Sequence, residues 1–197
     1  MPNEGYHCFG QCWTLHSYSD AMWRIYSPMC GHPCQYAVRI RSRIGCLYDS
    51  LNKNCGSTQS AFIGRVRYLT TPDLIRHVRS ASHRDSRTAA GTLLVKRPAF
   101  RHEREVRLIL VTGSDHTADA NGLFRYPLDP HTLVSQIMLD PRLDRKEAER
   151  LGNEIKAKTG FTGPVKRSLL YAPPDPLRRT VGTSDSRSPA RRLRKSS

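Results

Sequence analysis

Two hydrophobic periods run along the chain, one of two residues and one of three to four, and together they predict most of its elements. Residues 6–13 (Tyr-His-Cys-Phe-Gly-Gln-Cys-Trp) read as a strand. A short helix is expected at 19–27, capped by Ser19 or Asp20 and ended by Pro28. Met22, Ile25 and Tyr26 share one face of it, and Trp23 lies close enough to pack with Tyr26. Val38 and Ile40 alternate with Arg39 and Arg41, the pattern of a half-buried strand. Ile44, Leu47, Tyr48 and Leu51 then return at helical spacing to about Asn54. Phe62, Val66 and Tyr68 against Ile63, Arg65 and Arg67 give a further strand.

Residues 71–90 are rich in Arg, His and Ser, show no clear period, and are expected to form a loop with one helical turn. An apolar strand follows at 104–112, then a turn at Asp119 to Gly122 and strands near 123–128 and 135–139. Asp144 with Glu147 three residues on forms a capping-box-like start. The helix it opens runs through Ala148, Leu151 and Ile155 to Gly160, a natural terminator. A last strand spans Val165 to Tyr171. Short helices interspersed with strands predict an α+β fold over residues 6–172: a single domain with a mixed or mostly antiparallel sheet. Residues 173–197 hold seven basic and two acidic side chains and hardly any apolar ones. Such a segment cannot offset its ordering entropy, so a disordered, Arg-rich tail is expected there.

Charge changes the picture next. The formal net charge is +15, with 25 arginines against 7 lysines, which predicts attraction to polyanions through counterion release. A solvated basic surface without a target accounts for the same composition. The first residues have neither a basic start nor an apolar segment, and the longest strongly apolar run, Leu108 to Val111, is too short to span a bilayer. The expectation is an intracellular, cytoplasmic protein with no membrane partner and with its six cysteines reduced.

The candidate chemistry lies where the strand at 104–112 begins. Glu103, Glu105 and Arg107 alternate with Arg104, Val106 and Leu108, so a Glu-x-Glu-x-Arg row would place two carboxylates about 7 Å apart on one sheet face. Lys96, Arg97 and His102 precede them in sequence. Two close carboxylates can split their pKa values and serve as acid and base in glycoside or phosphodiester chemistry. Equally, they can form a ladder of ion pairs with Arg107, Arg65 or Arg67. Trp23 and Tyr26, with Met22, either line a base-stacking pocket or form the face by which their helix packs on a sheet. No metal is assigned. Cys8 and Cys12 are four apart on a strand, about 13 Å between α-carbons, too far to share a tetrahedral ion unless the strand bends. The pair Cys30 and Cys34, with His32 between, lies in a turn and could ligate by itself. The residues name no cofactor, and no phosphate-cradling glycine loop is present.

Cys12-Trp13 followed by Ser19-Asp20-Ala21-Met22-Trp23-Arg24-Ile25-Tyr26 resembles the signature of the prokaryotic family called domain of unknown function 2971. Further pieces match in order. They are Val38 to Arg41 with Leu47, Ile63 to Tyr68, Lys96-Arg97 with Phe100 to Arg107, and Tyr126 to Leu128 with Leu133, Ile137 and Pro141. The resemblance implies an additional amino-terminal segment, with an aromatic strand and an acidic motif, that this chain is expected to lack. No activity comes with the family. The Glu-x-Glu pair is similar to that of ADP-ribosyltransferase-like folds, where the later Glu stabilises oxocarbenium character and the earlier one positions the nucleophile. The resulting expectation is a nucleotide- or nucleic-acid-directed enzyme, with a defence or toxin-type role compatible. Its alternative is a noncatalytic nucleic-acid- or partner-binding module, for which oligomeric state is not legible.

Overall fold

A computed structural model describes residues 6–27, 36–81, 85–113 and 118–173. They form a single α+β domain whose framework is the apolar strand foreseen at 104–112. This strand, β6 (Glu105–Thr112), is buried on both faces, because it lies at the centre of an antiparallel sheet between β1 (His7–Thr14) and β3 (Gln59–Arg65). One face carries Leu108 and Leu110, which pack with Ala61 against Leu47 and Leu51 of α2 (Ile44–Asn52) and against Leu133 of α5 (Pro130–Leu133). The other face presents Ile109 and Val111 to Ala89 and Ala90 of α4 (Ser86–Thr92). A central strand covered on both sides reads as a continuous apolar run, and Leu108 to Val111 is that run.

A second sheet joins β2 (Val38–Arg41), β7 (Gln136–Leu139) and β8 (Val165–Arg167) in that order. β2 runs antiparallel to β7 and β8 parallel to it. A parallel neighbour needs a crossover, supplied by α6 (Arg145–Thr159). Asp144 caps that helix by accepting from the Glu147 amide at 2.8 Å, and Gly160 ends it in the left-handed region at φ 67°. Leu151 and Ile155 pack with Leu139 and Leu143 as the spacing predicted. A short parallel pair, β4 (Arg67–Tyr68) and β5 (Val95–Lys96), completes the strands.

Five expectations are corrected. Residues 71–90 hold two helices, α3 (Thr71–Ser80) and α4, and not a loop with one turn. Thr70 accepts from Asp73 N and Asp85 from Thr88 N, so both starts are capped, while the apolar contacts of α4 come from alanines that carry little periodic signal. Residues 123–128 form no strand. Phe124 and Tyr126 pack on the core beside Phe9, and Pro127 removes a ladder donor. The last strand stops at Arg167, and the strand from Phe62 to Tyr68 is broken at Val66, whose amide turns to the Glu105 carbonyl at 2.9 Å. Finally, the face of α1 (Asp20–Tyr26) is rotated. Trp23 is its buried residue at 7% exposure, whereas Ile25 and Tyr26 are exposed. The proposed tail and the Cys30–Cys34 turn lie outside the described residues. Among the described residues, no helix is long and apolar enough to cross a membrane.

Candidate functional site

The two glutamates reach one point from two different elements. Pro98 opens a 3₁₀ helix over Pro98–Glu103, which ends at Arg104 in the left-handed region at φ 43° before β6 begins. Glu103 is therefore not part of the strand row predicted for it. Arg104 re-aims the chain, and the Lys96 ammonium of β5 lies 2.5 Å from Glu103 Oε2 and 3.0 Å from Glu105 Oε2. Both carboxylates share one cation. Tyr68 supports the junction by accepting from the Glu105 amide at 2.9 Å. The Phe100 ring lies under the Lys96 ammonium at 4.9 Å.

Glu105 is 4% exposed and is held from several sides. Arg107 donates to it through Nε at 2.8 Å and Nη2 at 3.2 Å, and uses its remaining nitrogen on the Leu93 carbonyl. Cys12, opposite Arg107 on β1, adds a thiol hydrogen bond. Burial pushes the Glu105 pKa up, but the donors Arg107, Cys12 and Lys96 outweigh it and bring the value down to about 2. Burial also opposes the charge on Lys96, yet Glu103 and Glu105 hold its pKa above the ordinary value. Cys12 shifts the other way: burial, then the Glu105 carboxylate, raise its thiol pKa and keep it protonated.

These groups end a cavity of about 420 Å³. Its walls come from three places. β1 supplies Gln11 to Thr14, α1 supplies Met22, Trp23 and Tyr26, and β2 supplies Val38 to Ile40. Lys96, Glu103 and Glu105 form its polar end. The cavity therefore lies between the outer strand of one sheet and the outer strand of the other. Arg39 lines it too, its guanidinium 6.0 Å from the Tyr18 ring centroid and bonded to the Ser17 carbonyl. Burial and the neighbouring Arg41 lower the Arg39 pKa.

Of the residues singled out in the sequence, Glu103, Glu105, Lys96, Trp23 and Tyr26 meet at this cavity, and Arg107 braces Glu105. Arg97 and His102 do not line it. Arg97 is exposed, with its guanidinium 5.7 Å from the Phe100 ring centroid; the His102 carbonyl meets His16 Nε2 at 2.8 Å, while its ring Nδ1 bonds the Ala99 carbonyl at 3.1 Å. Sequence reasoning missed Gln11, Trp13, Thr14, His16 and the wall formed by β2. Val38 and Ile40 had a signal, since they alternate with arginines as core residues would, yet they are exposed and face the cavity. The described cysteines, Cys8, Cys12, Cys46 and Cys55, are unpaired, and among the described residues no three of His, Cys, Asp and Glu gather as a metal site. No family model matches the chain, and neither a curated protein nor a solved structure matches it.

Proposed function

We propose that the cavity binds a nucleotide, with its base against Trp13, Trp23, Met22 and Tyr26 and its sugar at the Glu103–Lys96–Glu105 end. One observation carries this reading: an aromatic wall and a pair of carboxylates share a single cavity of ligand size. Apolar walls with a few convergent polar groups suit a planar base joined to a hydroxyl-rich sugar. Glu105 stays ionised at any physiological pH, so it is unsuited to donate a proton. A fixed negative charge suits another task, stabilising positive charge that develops on a sugar ring when its bond to a base is broken. Glu103, bound to Lys96 alone among the charged groups, is the carboxylate placed to orient an attacking hydroxyl or water. The two roles are those of the Glu-x-Glu pair in ADP-ribosyltransferase-like folds, to which the sequence is similar, although here Glu103 stands outside the strand.

A second reading has its own support. Arg107, Lys96 and Cys12 together engage both Glu105 oxygens, as in a closed structural network. On that reading the site is noncatalytic and the cavity only binds.

Calorimetric titration with NAD, ATP and nucleoside monophosphates, followed by chromatography for released base, separates the two. Saturable binding that Tyr26→Ala weakens, with base release abolished by Glu103→Gln, supports the enzyme. Binding without release supports the module. The absence of saturable binding by any nucleotide sinks both.

A further inference from the structure

Many of the chain's arginines are paired with acids on their own helix. On α6, Arg145, Arg150 and Lys158 are each paired with Glu149, Glu147 or Glu154. A different situation holds where β6 begins. Arg97 precedes the 3₁₀ helix, Arg101 lies within it and Arg104 ends it. Arg65 stands opposite Val106 on β3. Arg67 pairs with Val95 on β4, and its guanidinium turns to α3, 3.5 Å from His77 Nε2. All five side chains are exposed, and among the described residues none has a carboxylate partner. The nearest acids are already engaged, Glu103 by Lys96 and Glu105 by Lys96 and Arg107.

Three of these, Arg97, Arg101 and Arg104, form a ledge on the 3₁₀ segment, and that segment adjoins the cavity. Glu103, the last residue of the 3₁₀ helix, lines the polar end. Its carbonyl accepts from Thr14 Oγ1 at 2.7 Å, and the Arg104 carbonyl accepts from the Leu15 amide at 3.0 Å. The segment that carries Arg101 and Arg104 is thus also the rim of the opening.

We infer that the ligand is a single-stranded polynucleotide, its phosphates on Arg97, Arg101 and Arg104 and one unstacked base in the cavity. The inference rests on the nucleotide reading above and names the substrate class. Arginine without an acidic partner is suited to bind phosphate, and a ledge of three engages successive phosphates where a free nucleotide offers one cluster. A duplex keeps its bases stacked and paired, so only a single strand presents a base to an aromatic cavity without unpairing it.

The test measures affinity of the full chain for a short oligouridylate, the matching oligodeoxynucleotide, a duplex, heparin and a mononucleotide over a range of salt. Two substitution sets are compared, with melting temperatures checked for each. One is Arg97→Gln with Arg101→Gln and Arg104→Gln; the other removes equal charge from α6 by Arg145→Gln, Lys156→Gln and Lys158→Gln. The expected result is a tenfold to hundredfold loss of single-strand affinity for the first set only. The magnitude of its logarithmic salt slope should fall by about 2. Mononucleotide binding stays unchanged, and the duplex and heparin bind more weakly than the single strands. Preference for the ribose or the deoxyribose strand identifies which source of the shared chemistry is used. Equal losses from both sets, or heparin binding as tightly as the oligonucleotides, would show a general charge effect and overturn the inference. If mononucleotide binding alone persists, the ledge fails while the cavity stands.

Discussion

Arg107 lies two residues beyond Glu105 on the same face of β6 and grips its carboxylate with two nitrogens, at 2.8 and 3.2 Å. Neighbours two apart on a strand face are about 7 Å apart at the α-carbon, close enough for a long guanidinium to fold back on a shorter carboxylate. The contact fixes both side chains without help from another strand. Cys12 and Lys96 then complete the shell around the acid.

Stability should fall with acid in a defined window. The Glu105 pKa is about 2 in the folded protein against an ordinary value of 4.5. A depressed folded value stabilises above the ordinary pKa, and that stabilisation, roughly 3 kcal/mol, is lost as pH falls from about 5 toward 2. Urea midpoints measured across this range should drop more steeply for the native protein than for Glu105→Gln. Parallel curves would show that Glu105 is not the group being titrated.

Arg107→Ala leaves a buried carboxylate with its strongest partner removed. The expected cost is about 3–5 kcal/mol in urea denaturation. Arg107→Lys keeps the charge but loses the fork, and should recover only part of that stability. A double-mutant cycle with Glu105→Gln should give strong coupling between the two. Additive effects would contradict the geometry.

Trp23 and Tyr26 should separate cleanly in experiment although they are neighbours on one helix. Trp23 is buried, so Trp23→Ala is expected to cost about 3–5 kcal/mol of stability. Tyr26 is 60% exposed, and Tyr26→Ala should change stability by no more than about 0.5 kcal/mol while weakening nucleotide binding. Thermal melting and calorimetry on the two variants test the contrast.

Gly64 lies opposite Arg107 on β3 and leaves room for Leu94 to cover it. A β-carbon placed there would be 2.5 Å from Leu94 Cδ1. Gly64→Ala should therefore destabilise by about 1–3 kcal/mol. Adding Leu94→Ala should cost less than the sum of the two changes, because the second removes the clash created by the first. An additive pair would mean that Leu94 moves aside freely.

Elements with an explicit boundary residue were legible in the sequence. Ser19 begins α1, Asp144 and Gly160 bound α6, and the apolar run after Arg107 is the central strand. Helix α3 carries a comparable cap at Thr70 with Asp73, but its one turn of Leu74, Ile75 and Val78 is diluted by basic residues. The site was half legible. Its acids stood out because charge is rare at the mouth of an apolar strand. The left-handed turn at Arg104 has no such signature, since glycine and asparagine normally mark it. Without that turn, alternation puts Glu103 and Glu105 in one row and gives no reason for both to meet Lys96. The cavity walls were illegible for another reason: a strand lining a cavity and a strand lining a core share one pattern.

The opposing walls of the cavity hang from different sheets, and their mutual attachment has a consequence for any occupant. Ser27, which ends α1, donates to the fully buried Asp140 at 2.9 Å, just beyond β7, and Arg142 clamps the same carboxylate at 2.6 Å. The α1 wall is thereby riveted to the second sheet, while Cys12, Glu105 and their neighbours belong to the first. A ligand spanning the gap would act as a cross-brace between the two halves of the molecule. Its affinity should then reappear as resistance to unfolding of the whole domain, growing as the logarithm of ligand concentration above its dissociation constant.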